Sequence, residues 1–209
     1  MCNFMVNEKF IKCKLVDYLL KTYQVDTIGV EVPFLSGKRW VDVLLITKRK
    51  ELFAFEIKSD VDTLKRFAGQ IESYGTSFSK TYVVVSKKYI KDKRLKNLPK
   101  NIGSLLVNTD GTVAEVKKAT PTKKLSKTNL AHFLWKSDLQ KYVISKTDSV
   151  ELLRARLCRK NTVAQIYRQA VASLISRYKK RFSLFLSEKS VPTSYSDLDY
   201  LTKTYGDIF

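Results

Sequence analysis

Residues 53–75 read FAFEIKSDVDTLKRFAGQIESYG. Phe53, Ala54, Phe55 and Ile57 form an apolar run of the kind a buried strand carries, yet Glu56 and Lys58 lie within it. Burying unpartnered charge costs several kcal/mol, so the two residues need a shared purpose. Side chains alternate across a strand, which sends Glu56 and Lys58 to one face and Phe55 and Ile57 to the other. Directly after them, Ser59 and Asp62 have the spacing of a capping box. They predict a helix that Gly75 would end in a left-handed conformation.

The flanking sequence sets this strand in a sheet. TIGVEVPF (27–34), RWVDVLLI (39–46) and LFAFEIK (52–58) are short β-prone runs separated by SGK and TKRKE, and they predict an antiparallel meander. Residues 8–23 place apolar side chains at three- and four-residue intervals, which predicts an amphipathic helix before it. TYVVVS (81–86) is apolar throughout, as an interior strand reached by a helical crossover would be. SLLVNTDGTVAEV (104–116) carries Asp110-Gly111 between two β-prone runs, a hairpin signal. The order is α-β-β-β-α-β with an appended hairpin, an α/β fold with a mixed sheet.

From about Leu125 the pattern is helical, with Asp148 and Asn161 at expected N-cap positions. ATPTKKLSKT supplies a boundary near residue 121. The expected organisation is a core over 1–120, a basic helical region over 121–190 and a tail over 191–209.

The charge points to a polyanionic partner. The chain has 39 Lys and Arg against 20 Asp and Glu, net +19, and residues 123–190 hold 16 basic and 4 acidic side chains. Each phosphate that such a surface neutralises releases a counterion, so nucleic acid is the expected partner. Arg177, Lys179, Lys180 and Arg181 form the densest cluster and are the expected docking residues.

Other chemistries lack their parts. Cys2, Cys13 and Cys158 show no zinc-ligand spacing and read as free thiols. His132 is the only histidine, which removes zinc-hydrolase and His-dependent nuclease schemes, and no glycine-rich phosphate loop is present. No apolar run approaches the roughly 18 residues of a membrane span. The expectation is a cytoplasmic protein without membrane contact.

Pairing arithmetic identifies the partners of Glu56. If residues 48–50 close the second turn, partners sum to 98 and Asp42 lies opposite Glu56. If Ser36-Gly37 centres the first turn, partners sum to 73 and Glu31 lies opposite Asp42. Facing carboxylates repel, and a divalent cation removes the objection. Asp42 and Glu56 could hold Mg²⁺ or Mn²⁺ with the Ile57 carbonyl as a further oxygen, while Lys58 assists the attacking water.

Asp42, a thirteen-residue spacer and then Glu56-Ile57-Lys58 on consecutive strands resemble the PD-(D/E)XK nuclease superfamily, with its restriction-endonuclease-like fold. The resemblance implies metal-dependent hydrolysis of DNA phosphodiesters, with Asp42 and Glu56 as metal ligands and Lys58 as the catalytic lysine. Val41 stands where the superfamily motif has proline. The additional acidic residue is Glu31 on the first strand or Glu8 on the first helix, and the cross-strand register favours Glu31. Gln70 and Tyr74, spaced by four, resemble the Gln-x-x-x-Tyr pair that lies near the substrate strand in exonuclease-like and resolvase-like branches. EIKSD together with LAHFLWKSDLQ is most similar to a family of small bacterial and phage proteins within that superfamily. Pairing as a homodimer is what the resemblance implies where two strands are cut. The alternative is a DNA-binding accessory or regulatory protein that keeps the nuclease fold without turnover.

Overall fold

The computed structural model describes residues 5–63, 67–143 and 147–202. Helix α1 (Glu8–Thr22) is followed by strands β1 (Val25–Phe34), β2 (Arg39–Thr47) and β3 (Leu52–Lys58), then α2 (Phe67–Tyr74) and β4 (Lys80–Ser86). A 3₁₀ turn (Lys87–Tyr89) and α3 (Lys93–Lys96) lead to β5 (Ile102–Val107) and β6 (Val113–Lys117). Helices α4 (Lys127–Ala131), α5 (Lys136–Tyr142), α6 (Val150–Lys160), α7 (Val163–Glu188) and α8 (Leu198–Leu201) complete the described chain.

The six strands form one mixed sheet in chain order. β1–β2, β2–β3 and β5–β6 pair antiparallel, while β3–β4 and β4–β5 are parallel. The α/β architecture and the helical C-terminal region are as the residue pattern predicts. Both expected registers are present: Val43 pairs with Phe55, and Val32 with Val41. The turn that sets the first register holds Leu35, Ser36 and Gly37 at positive φ, so glycine at 37 relieves one of three otherwise strained positions.

The sheet is covered on both faces. α1 packs with Ile28, Val30, Val43, Phe53, Phe55 and Ile57 on one face. α2 and the C-terminal helices pack with Val32, Val41, Leu44, Ile46 and Ala54 on the other. In α7 the buried residues Ile166, Ala170, Leu174, Tyr178 and Phe182 repeat every four positions, a stripe that one helix face can bury. α7 approaches β1 closely enough that a Cβ at Gly29 would lie 3.1 Å from the Tyr178 ring, so glycine admits the helix here.

Several local expectations are corrected. Ser59 and Asp62 do bond, with Asp62 accepting from the Ser59 amide at 2.8 Å and its hydroxyl at 2.6 Å. They close a turn, however, and the described helix begins at Phe67, beyond residues 64–66, which lie outside the description. Gly75 is not left-handed: the positive-φ glycines among the described residues are Gly37 and Gly111. Ser149 and Thr162, not Asp148 and Asn161, cap α6 and α7. The stretch 129–145 is two helices separated by a turn at 132–135, and its last two residues lie outside the description. Within the tail, α8 packs its buried Leu198 and Leu201 onto the sheet; 203–209 and Cys2 lie outside the described residues. Among the described residues no helix is long and apolar enough to cross a membrane.

Candidate functional site

The β1–β2 ribbon changes face at the position the charges occupy. Val30 and its partner Val43 belong to the cluster under α1, whereas Val32 and its partner Val41 belong to the cluster under α2 and α7. A regular ribbon would send both pairs to one face. The change is centred on Glu31, which adopts a positive φ of 52°, and on Asp42 opposite it. This deformation ends the β2–β3 ladder at Val43–Phe55 and leaves the Ile57 amide to find another acceptor. Asp42 supplies it: its Oδ2 accepts from the Ile57 N–H at 2.6 Å.

Glu56 is held from both sides. Lys58 Nζ donates to Oε1 at 2.8 Å and the Tyr74 hydroxyl lies 2.5 Å from Oε2. Glu56 and Lys58 are 2% and 8% exposed, so their bond is dry and the pair answers the burial cost posed by the sequence. Tyr74 also reaches the Trp40 carbonyl at 2.8 Å and stacks on Phe34. Burial and then the Glu56 charge raise the Tyr74 pKa far above its ordinary value, which keeps the hydroxyl protonated as a donor.

Asp42 carries the electrostatic strain of the site. Burial first, and Glu56 next, raise its pKa to about 8 against the opposing Ile57 N–H bond. A carboxylate so displaced beside a second one is an arrangement that a proton or a cation relieves. Among the described residues no group of three His, Cys, Asp or Glu side chains converges in metal-binding geometry. Two carboxylates are nevertheless the donor set that Mg²⁺ uses when water and substrate phosphate complete its shell, so the pair fits such an ion.

Glu31 and Glu8, the alternatives for an additional acid, share one partner. Lys12 Nζ lies 2.6 Å from Glu8 and 2.8 Å from Glu31. Its ammonium is almost fully buried while both carboxylates are about half exposed. Glu8 and Lys12 both act on Asp42, Glu8 raising and Lys12 lowering its pKa. The third carboxylate expected at the cation is thus engaged by an internal lysine.

The remaining expected residues divide. Gln70 is half-buried on α2, four residues before Tyr74. Tyr74 is 1% exposed, so it positions Glu56 and has no face for a nucleic acid strand. Arg177 is turned inward: it donates to the Phe133 carbonyl at 2.5 Å and to the Ser173 carbonyl at 3.2 Å, and stacks over Trp135. Lys179 binds Asp26 at 2.7 Å, and Arg181 donates to the Thr202 carbonyl at 2.9 Å. Of the four expected docking residues, Lys180 alone is exposed; the other three hold α7 to its neighbours. His132 is likewise structural, bonded through Nδ1 to Ser36 at 2.7 Å, and Arg154 joins the same hydroxyl at 3.0 Å.

The basic segment beside the site is a different one. Residues 87–100 carry seven Lys and Arg and one Asp. They begin at the carboxyl end of β4, where Val85 pairs with Lys58, and exposed Lys87 and Lys91 flank that end. The density of lysine in this connection was legible; its position next to Glu56 depends on the parallel β3–β4 pairing.

The family model described as "Bacteriophage P4 protein cII" matches residues 1–202. Protein cII of Enterobacteria phage P4 is 27% identical over 215 residues, covering 95% of this chain and 79% of that protein. A solved structure of a protein of unknown function from Silicibacter pomeroyi overlaps with a TM-score of 0.43 at 16% identity, covering 73% of this chain and 93% of that one. With nearly its whole length matched, the chain belongs to the bacteriophage P4 protein cII family.

Proposed function

We propose that this protein binds DNA as an accessory or regulatory factor and keeps a nuclease-like sheet as its scaffold. The observation that carries the reading is the adjacency of the cationic connection 87–100 to the carboxyl ends of β3 and β4, the edge at which open α/β sheets bind ligands. The internal engagement of Glu56 by Lys58 and Tyr74, and of Glu8 and Glu31 by Lys12, supports a site whose charges serve the fold. The test is fluorescence polarisation of a labelled duplex across a salt series. A log–log slope that falls by about 0.9 for each lysine removed at Lys87 and Lys91 supports docking there; an unchanged slope rejects it.

A second reading, DNA hydrolysis, is favoured by the Asp42–Glu56 pair and the raised Asp42 pKa. Asp42, Glu56 and the Ile57 carbonyl would hold Mg²⁺ or Mn²⁺, an ion that activates water and offsets phosphate charge when bound. Lys58 would orient the water and stabilise the developing negative charge, Tyr74 would fix Glu56, and a homodimer would bring one site to each strand. Calorimetry with Mn²⁺ on the wild type, Asp42→Asn and Glu56→Gln separates the readings. Binding lost in both variants, with plasmid cleavage lost in Glu56→Gln and Lys58→Met, supports turnover; no binding leaves the accessory role.

A further inference from the structure

On the side of α2 away from the carboxylates lies an open cleft of about 1020 Å³. Tyr74 leaves α2 toward Glu56, whereas Ile71, Glu72 and Gly75 of the same helix line the cleft. Its floor is apolar, with Ile71, Leu98 and Ile102 each at most 7% exposed. Its rim is cationic: Lys93, Arg94, Lys100, Lys123 and Lys124 stand against the single carboxylate of Glu72. The walls are preset by main-chain bonds, Thr120 to Asn101 at 3.2 Å, Ile102 to Pro99 at 3.0 Å and Thr122 to Ser79 at 2.8 Å. Lys117 Nζ further ties the carbonyls of Leu98 and Pro99.

We infer that this cleft binds a single-stranded nucleic acid segment, with phosphates on the lysine rim and bases against the apolar floor. The inference rests on the DNA-binding reading and adds a second, separate contact surface to it. Charge complementarity selects a polyanion. The floor then selects among polyanions: a duplex presents phosphates and sugars outward, which an apolar surface would dehydrate without compensation. A single strand exposes base faces that apolar surface can cover while its backbone tracks a basic groove. The connection 87–100 runs from the carboxyl end of β4 to this rim, so both surfaces are served by one cationic segment.

The test is polarisation of a labelled oligothymidylate, an abasic oligomer of equal length and a duplex, on the wild type and on Lys93→Ala/Lys100→Ala/Lys123→Ala, whose substituted side chains are exposed. The triple variant should weaken oligothymidylate binding about tenfold and duplex binding less than about twofold. On the wild type, the abasic oligomer should bind about fivefold more weakly than oligothymidylate, because base contact contributes of the order of 1 kcal/mol per base or more. Glu72→Lys should tighten oligothymidylate binding, a gain that a folding defect cannot mimic. Equal loss for duplex and single strand, equal affinity of abasic and oligothymidylate probes, or competition by polyglutamate equal to that by oligothymidylate overturns the inference. Duplex binding without oligothymidylate binding also overturns it while leaving the DNA-binding reading intact; binding of neither removes both.

Discussion

The Tyr74 hydroxyl lies 2.5 Å from Glu56 Oε2, across the gap between α2 and β3. A phenol 1% exposed, pressed on Phe34 and joined to a carboxylate 2% exposed, makes one buried polar unit with Lys58. Tyr74→Phe keeps the ring and removes only the hydroxyl. It should destabilise the protein by about 1–3 kcal/mol, the cost of leaving one Glu56 oxygen unsatisfied. Urea unfolding measures this, and a change below about 0.5 kcal/mol would falsify the positioning role.

Lys12 offers an asymmetry that can be measured. Removing it by Lys12→Met releases Glu8 and Glu31, which are 45% and 53% exposed and can rehydrate. Removing both acids by Glu8→Gln/Glu31→Gln strands an ammonium that is 4% exposed. A stranded buried charge costs about 3–5 kcal/mol, whereas half-exposed pairs contribute about 1 kcal/mol or less. The double glutamine variant should therefore unfold at distinctly lower urea than Lys12→Met. The reverse order would show that the lysine is solvated in solution.

The legibility of this region follows from period and distance. Turns of few residues and the two-residue repeat of strands made the registers through Asp42 and Glu56 readable, because a one-residue slip would turn every apolar side chain outward. The positive φ of Glu31 and its bond to Lys12 were not readable. Both depend on how α1 lies against a deformed strand, and no local pattern encodes that. Capping positions were displaced by one because Asp148-Ser149 and Asn161-Thr162 each offer two residues able to cap. Arg177 looked like a surface cation in a basic run; its inward turn depends on Trp135 and the Phe133 carbonyl, about forty residues earlier in the chain.

Asp26 joins β1 to α7 and to the β2–β3 turn through Lys179 at 2.7 Å and Lys50 at 2.6 Å. Burial alone would raise its pKa, but the bonds to Lys179 and Lys50 outweigh that and hold it at about 2. A carboxylate depressed in the folded state stabilises the protein above its unfolded pKa of about 4 and loses that contribution as pH falls toward 2. Because both lysines are about half exposed, solvent screening limits the effect to about 1 kcal/mol. The stability difference between wild type and Asp26→Asn should be present at neutral pH and vanish in acid. A difference independent of pH would assign Asp26 a role other than ion pairing.

Arg177 and Lys87 are both basic, and their substitutions should act on different observables. Arg177→Ala removes the donors to Phe133 and Ser173 and the guanidinium face over Trp135. It should lower stability by about 2–4 kcal/mol, since buried carbonyls lose charged donors. DNA affinity per folded molecule should change little, because that guanidinium is already committed inside the fold. Lys87→Ala/Lys91→Ala should do the opposite: exposed side chains leave stability within about 0.5 kcal/mol. Their loss should reduce the salt slope of duplex binding by about 2, the number of phosphates released. Chemical unfolding and a salt series on the same preparations measure both effects. If Arg177→Ala flattens the slope and the lysine pair does not, the docking surface returns to α7 and the cationic edge at β4 loses its role.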